Sequence, residues 1–168
     1  LKLSDAESDF TRTETEFAEK LDVGTYTASV TLSGEKTKFY EITVNAADFT
    51  VIQKAATITI NTIDNIVYGD EVPDLSAKVD GVLDGDSLVY ALETNYTVGA
   101  KPGVLYTASV VVNAAENKNY AIIATGTTFN VGTKDLTIKL NNTATVAVGK
   151  TYKVEAEHLD KIGLVAGD

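Results

Sequence analysis

Cysteine, methionine and tryptophan are all missing from this chain of 168 residues, and only two residues are proline. Without cysteine there is no disulfide framework, no thiolate zinc site and no thiol nucleophile. Long hydrophobic runs are also missing, because no segment approaches the roughly 18 apolar residues that a membrane helix needs. Membrane insertion is therefore not expected.

Basic residues are few, and the formal net charge is -10. The 14 lysines and arginines form no cluster, so we expect no binding to nucleic acid and none to anionic membrane surfaces. Residues 1–20 are too acidic for a signal peptide. The chain is therefore expected to be soluble as given and to be a segment of a longer protein.

What the chain does have is an internal repeat. The pentapeptide YTASV occurs at Tyr26–Val30 and again at Tyr106–Val110, and an ungapped alignment at this offset of 80 gives 14 identities over 36 positions. After a shift of two residues, the segment 82–86 also aligns with 164–168, and both end in Gly-Asp. These matches indicate a duplicated module of about 80 residues.

Short alternating segments rich in β-branched and aromatic residues predict strands. The repeated ones are Thr25–Leu32, Tyr40–Val44 and Ala56–Ile60 in the first copy, with Leu105–Val112, Tyr120–Ala124 and Leu136–Leu140 in the second. Further strands are predicted at Leu75–Val79, Leu88–Leu92, Phe129–Val131 and Tyr152–Glu157. The predicted fold is all-β, with tandem small Ig-like β-sandwich-type modules and at most one short helix in each; Thr11–Lys20 fits either strand or helix.

The order of these motifs resembles that of the MBG domains, which are tandem modules of large bacterial surface and adhesin-like proteins. The resemblance runs from Ala56-Thr-Ile-Thr-Ile60 through Val67-Tyr-Gly-Asp70 and Gly81-Val-Leu-Asp-Gly-Asp86 to Asn119-Tyr120 and Phe129. It departs from the pattern at Ala147-Val-Gly-Lys150, where the Tyr-Gly-Asp and the proline are missing. The resemblance implies spacing, display or adhesion rather than catalysis.

The resemblance and the repeat together predict the domain boundaries. Residues 54–133 form one complete module, which we call the central module; residues 1–53 (the first flank) match the later part of a module, and residues 134–168 (the second flank) match an earlier part. The alternative phase divides the chain into 1–86 and 87–168. A further hypothesis is that the two flanks complete each other, within one chain or by strand exchange with a neighbouring copy.

Catalytic and metal chemistry find little support in the sequence. His158 is the single histidine, so a zinc site is not expected, and a solvent-facing strand residue is its expected role. Calcium is the one cofactor that the acidic residues suggest, at Asp80, Asp84 and Asp86 with Asp70, Glu71 and Asp74 upstream. Their spacing does not match a known calcium loop, and the expectation is no enzyme and no cofactor.

Carbohydrate binding through tyrosine rings is the alternative function. Tyr26, Tyr40, Tyr106 and Tyr120 recur at the repeat offset and are assigned to the core. Tyr90 and Tyr96 are less constrained, and they are predicted to line an exposed ligand surface.

The leading expectation is a noncatalytic spacer of a secreted or wall-attached bacterial surface protein. The absence of easily oxidised side chains is typical of such extracellular modules. The expected partners are neighbouring modules of the same protein, with a glycan or a host matrix protein as the alternatives.

Overall fold

The computed structural model describes residues 9–64, 66–141 and 145–168. Strands are the main regular structure of this part of the chain, and short 3-10 helices occur at Glu35–Phe39 and Ala156–His158. The strands are β1 (Thr11–Glu14), β2 (Gly24–Ala28), β3 (Val30–Ser33), β4 (Ala47–Val51), β5 (Lys54–Ile60), β6 (Ala77–Asp80), β7 (Tyr90–Thr94), β8 (Leu105–Val112), β9 (Tyr120–Thr125), β10 (Thr127–Asn130), β11 (Thr137–Leu140) and β12 (Leu159–Ile162).

The prediction of an all-β fold is confirmed. Thr11–Lys20, which fitted either strand or helix, contains strand β1 and no helix. Within the described ranges no helix is long and apolar enough to cross a membrane.

The central module contains two three-stranded sheets. One has the order β10-β8-β7, with both neighbours of β8 antiparallel to it, and the other has the order β6-β5-β9. In the second sheet β5 and β6 are antiparallel, and Ile58 lies opposite Val79. Because successive side chains of a strand point to opposite faces, the period of two in β5 places Ala56, Ile58 and Ile60 on one buried face.

Tertiary contacts divide the chain into two compact units. The first unit comprises residues 1–56, 81–88 and 113–122, and the second comprises 57–80, 89–112 and 123–168. The domain boundaries inferred from the repeat stay a prediction.

The core of the second unit is formed by Ile60, Tyr96, Ala108, Phe129 and Val131. The ring of Tyr96 packs edge-on against both Tyr106 and Phe129, at centroid distances of 5.6 and 6.0 Å. Ring pairs in this geometry stabilise a core beyond the apolar area that they bury.

The first unit contains an equivalent set of three rings. Phe17 packs edge-on against Tyr26 and Phe49, at 6.2 and 5.0 Å, and Tyr26 stacks on Phe49. Tyr26 and Phe49 lie 80 residues before Tyr106 and Phe129, whereas Phe17 lies 79 residues before Tyr96. The two aromatic triads, Phe17–Tyr26–Phe49 and Tyr96–Tyr106–Phe129, are therefore copies of one packing motif.

The first flank forms two antiparallel pairs, β1 with β3 and β2 with β4. The pairing of β2 with β4 reproduces the pairing of β8 with β10, since Tyr26 lies opposite Phe49 as Tyr106 lies opposite Phe129. The first flank thus reproduces part of the sheet β10-β8-β7.

The predicted strand Tyr40–Val44 is wrong, because residues 41–46 have no strand assignment. In the central module the equivalent strand β9 lies beside β5. Among the described residues, no strand pairs with residues 41–46 in this way. The alternation of polar and apolar residues is therefore not sufficient to place this segment in a sheet.

The predicted strand Tyr152–Glu157 is also wrong, because the strand of this region is β12, at Leu159–Ile162. β12 pairs with β11 as β6 pairs with β5, with Ile138 opposite Lys161. The two-residue shift found in the Gly-Asp motif thus applies to β12 as well, and it moves the strand beyond the predicted segment.

Candidate functional site: a polar clasp

Six polar residues of the first unit converge at one place, which we call the polar clasp. They come from the connection between β1 and β2, from the loop between β6 and β7, and from the start of β9 with the two residues before it. The residues are Lys20, Asp22, Asp86, Lys118, Asn119 and Tyr120. The clasp therefore links the first flank to two loops of the central module.

Asp22 is the acceptor on one side of the clasp. Its carboxylate accepts hydrogen bonds from Lys118 Nζ at 2.7 Å and Asn119 Nδ2 at 2.6 Å. The Asn119 amide oxygen in turn accepts the backbone N–H of Val23 at 3.0 Å. The bond from Lys118 and then that from Asn119 hold the pKa of Asp22 below its usual range, and the bond to Asp22 raises the pKa of Lys118.

Asp86 is the acceptor on the other side. Lys20 Nζ donates to one carboxylate oxygen, and Tyr120 Oη donates to the other at 2.5 Å. Tyr120 Oη also accepts the backbone N–H of Leu83 at 3.1 Å. The bond from Lys20 and then that from Tyr120 lower the pKa of Asp86, and the bonds to Asp86 raise the pKa values of Lys20 and Tyr120.

Backbone groups and apolar side chains support the clasp. Gln53 Nε2 donates to the carbonyl of Lys118, and the N–H of Lys54 donates to the carbonyl of Asn119, both at 2.9 Å. A cavity of about 90 Å³ lies beside these contacts, lined in part by Leu21, Ile52 and Leu83. Sites for small molecules usually measure about 300–1,000 Å³, so this cavity is too small to be one.

The second Gly-Asp motif makes a related contact in the second unit. Tyr68 Oη donates to the carboxylate of Asp168 at 2.8 Å, and this bond raises the pKa of Tyr68. Asp86 and Asp168 hold equivalent places in the repeat, and each accepts a tyrosine hydroxyl. The last aspartate of the motif is therefore a repeated acceptor, although its tyrosine comes from a different position in each case.

The prediction that Tyr90 and Tyr96 line an exposed surface requires correction. Tyr96 is only 2% exposed, and its hydroxyl donates to the carbonyl of Asp70 at 2.7 Å. Burial raises the pKa of Tyr96, and its ring cannot stack on a sugar because both neighbouring rings of its triad cover it. Tyr90 is half-buried on β7, opposite Val112.

The remaining candidates have structural contacts. The Asp70 carboxylate accepts the backbone N–H of Val67 at 3.0 Å and so closes a turn. His158 is half-buried at the end of a 3-10 helix rather than on a strand, where Nδ1 accepts the N–H of Glu155 at 3.1 Å. Across the described residues, no three His, Cys, Asp or Glu side chains are grouped so as to hold a metal ion.

The polar clasp was not foreseen as a group. The sequence indicated Asp86 through the Gly-Asp motif and as a calcium candidate, Asn119-Tyr120 through the MBG-like pattern, and Lys118 only as a repeat identity. Lys20 and Asp22 have no identical counterpart at the repeat offset, where Ala100 and Pro102 stand. The sequence offered one signal for the clasp: Lys20 and Asp22 of the first flank have the charges opposite to those of Asp86 and Lys118.

The fold and the repeat define the class first: an all-β protein with an internal sequence repeat. Residues 56–130 match the family described as MBG domain (YGX type), which confirms the resemblance for this segment. Tyr68-Gly69 is the Tyr-Gly pair within it. The MBG domain is not an enzyme family. No curated protein and no solved structure matches the chain.

Because the clasp consists of charged and titratable groups, we expect the folded protein to lose stability in both acid and base. Because the pKa of Asp86 and that of Asp22 are lowered by folding, their contribution is present above about pH 4 and is lost as acid protonates the folded carboxylates. Because the pKa values of Lys20, Lys118 and Tyr120 are raised, their contribution is present below about pH 10 and is lost above it.

Asp86→Asn should lower the thermal midpoint at neutral pH by a few degrees and flatten the acid limb of the stability curve. The midpoint is measured by circular dichroism across this range. The exposed neighbour Asp84 provides the control, since Asp84→Asn should preserve the acid limb. An unchanged limb in Asp86→Asn would show that Asp86 does not couple folding to pH.

Proposed function

We propose that this chain is a noncatalytic spacer of a secreted or cell-wall-attached bacterial surface protein and that it supports adhesion or display. The MBG segment and the duplication support this proposal, because such modules occur in tandem in surface proteins. The absence of cysteine, methionine and tryptophan supports the extracellular setting, where oxidation would damage these side chains.

The polar clasp is the observation that carries the proposal. A spacer must resist bending where one module meets the next, and in tandem arrays the contacts between neighbours set the stiffness. Asp22 and Asp86 each accept two hydrogen bonds from side chains, so the clasp restrains the 20–23 segment at two separate points. Restraint at two points limits rotation as well as separation.

The experiment measures how tightly the clasp holds the first flank to the loop at 81–88. The chain has no cysteine, so spin labels can be attached at two introduced cysteines, Thr31→Cys in β3 and Asp84→Cys in the loop. Both positions are exposed. Pulsed electron resonance should give a narrow distance distribution, and the added changes Lys20→Ala and Asp22→Ala should broaden it at least about twofold, because both pairs of charge contacts are lost.

Arg12→Ala is the matched control. It removes an exposed ion pair of 2.9 Å between Arg12 and Glu14 within a single strand, so the distribution should keep its width. A broad distribution in the parent chain, or an unchanged one in the clasp variant, would contradict a stiff spacer. Circular dichroism confirms that each variant retains its strands.

Carbohydrate binding stays a prediction, and it now depends on Tyr90 alone. The carbohydrate hypothesis was based on two tyrosine rings, and one of them, that of Tyr96, is buried. We therefore place it second.

A further inference from the structure

Asn95 lies directly after β7, in the sequence Glu93-Thr-Asn-Tyr-Thr97. An asparagine, then any residue except proline, then threonine is the acceptor pattern for N-linked glycosylation. Glu93 also places a carboxylate two residues before the asparagine, which is the stricter pattern that bacterial transferases of this class recognise. Asn95 is exposed, so this pattern marks a candidate modification site.

Two hydrogen bonds to Thr107 hold Asn95 in one orientation. The backbone N–H of Asn95 donates to the carbonyl of Thr107 at 3.2 Å, and its side-chain oxygen Oδ1 accepts the N–H of Thr107 at 2.8 Å. The other amide atom, Nδ2, is the one that would carry a sugar, and it donates to none of the described residues. The contact with Thr107 thus fixes the amide without using the nitrogen that would react.

A second acceptor pattern, Asn141-Asn-Thr143, differs from the first in two respects. Lys139, rather than a carboxylate, stands two residues before the asparagine. The Nδ2 atom of Asn141 also donates to the carboxylate of Asp160 at 2.9 Å and to the carbonyl of Glu157 at 3.3 Å. The chain therefore contains its own comparison for the pattern at Asn95.

The surface beside Asn95 is polar and has room for a sugar. Thr107 of β8 lies opposite Thr128 of β10, and both residues are exposed. An open hollow of about 440 Å³ is lined by Thr107, Ala108, Gly126, Thr127 and Thr128. Small ligands occupy sites of about 300–1,000 Å³, and threonine hydroxyls donate and accept hydrogen bonds as sugar hydroxyls do.

We propose that Asn95 is a site of N-linked glycosylation and that the first sugar lies in the hollow beside Thr107 and Thr128. In the transfer, the bond from the sugar carbon C1 to a lipid diphosphate breaks, a bond from C1 to Nδ2 forms, and Nδ2 loses one proton. The donor is a lipid-diphosphate-linked oligosaccharide, and the catalyst is a membrane oligosaccharyltransferase. This inference rests on the secreted setting of the proposed function, because such transfer takes place outside the cytoplasm.

The fold indicates when the transfer takes place. Tyr96, between Asn95 and Thr97, is 2% exposed, and its hydroxyl donates to the carbonyl of Asp70. A transferase must bind Asn95 and Thr97 together, which requires Tyr96 to lie outside the core. Transfer therefore precedes folding and accompanies export of the chain.

The first experiment exports the full chain in a Gram-negative host that carries a bacterial oligosaccharyltransferase and its lipid-linked donor. A C-terminal tag with an acceptor sequence for the same enzyme shows that transfer is active. The intact mass should rise by one glycan on the tag and one on Asn95, and peptide mapping should find Asn141 unmodified. A glycan on the tag alone, or equal occupancy of Asn95 and Asn141, would overturn the proposal. Neither result changes the spin-label widths that test the spacer.

Thr97→Ala should abolish the glycan on Asn95, because it removes the acceptor pattern and leaves both bonds between Asn95 and Thr107 in place. Glu93→Gln should lower the modified fraction. Asn141→Gln is the matched control and should keep the full mass increase. Retention of the glycan in Thr97→Ala, or its loss in Asn141→Gln, would contradict Asn95 as the acceptor.

Nuclear magnetic resonance tests where the sugar lies. In the isotope-labelled chain, glycosylation should shift the amide signals of Thr127 and Thr128 more than that of Thr59, an exposed threonine of β5 in the other sheet. Equal shifts would show that the glycan extends into solvent, and they would overturn its placement in the hollow.

Discussion

Ile58→Ala is expected to lower the free energy of unfolding by about 3 kcal/mol. Ile58 has no exposed surface, and it lies in the middle of β5, with strands on both sides. Alanine would remove three buried carbon atoms and leave a cavity that the surrounding β-branched side chains cannot easily fill. Urea denaturation followed by circular dichroism measures the loss.

The repeat provides an internal control for this prediction. Ile138 is the same residue at the equivalent position of β11, but it is exposed in the isolated chain. Ile138→Ala should cost only about 0.5 kcal/mol, as surface substitutions usually do. Similar losses in the two variants would mean that burial does not decide the stability of this strand type.

Gly81→Ala is expected to lower the free energy of unfolding by about 2–4 kcal/mol. Gly81 directly follows β6 and has a φ of 86°, a conformation that is unfavourable for any residue with a Cβ. An added Cβ would also lie 2.6 Å from the carbonyl oxygen of Ala55, which is backbone and cannot rotate away. Both penalties act together on the end of the β5–β6 pair.

Gly85→Ala separates the two penalties. Gly85 has a similar φ of 83°, but nothing lies within 4 Å of an added Cβ. Only the backbone strain remains, and the expected loss is about 1 kcal/mol. If both alanine variants lose the same free energy in urea denaturation, the loop at Gly81 moves to relieve the contact, and the close approach to Ala55 is not what requires a glycine.

The strands that could be predicted from the sequence are those whose partners lie in the described chain. The segments Ala56–Ile60 and Leu105–Val112 alternate with period two, and they have neighbouring strands on both sides in the structure. Local alternation identifies one pleated, half-buried face, and the partner strands then allow that face to be buried. The predicted strand Tyr40–Val44 has the same alternation, but residues 41–44 pair with no strand among the described residues. This prediction was wrong because a strand also needs a neighbouring strand, which local alternation does not supply.

The candidate site was harder to predict for two different reasons. Tyr96 was assigned to the surface because it has no counterpart at an offset of 80, whereas its true counterpart is Phe17, at an offset of 79. A gap of one residue in the alignment would have placed both rings in the core. The clasp depends on side chains from three separate segments, and their convergence follows from the tertiary fold rather than from any local pattern.

The two aromatic triads also determine how the chain can be observed by optical methods. With eight tyrosines and no tryptophan, its near-ultraviolet dichroism comes mainly from tyrosine rings held in fixed orientations. Tyr26 reports on one triad, and Tyr96 and Tyr106 report on the other. Replacing one triad tyrosine at a time by phenylalanine thus divides a single spectrum into two local signals, which follow the loosening of each core separately.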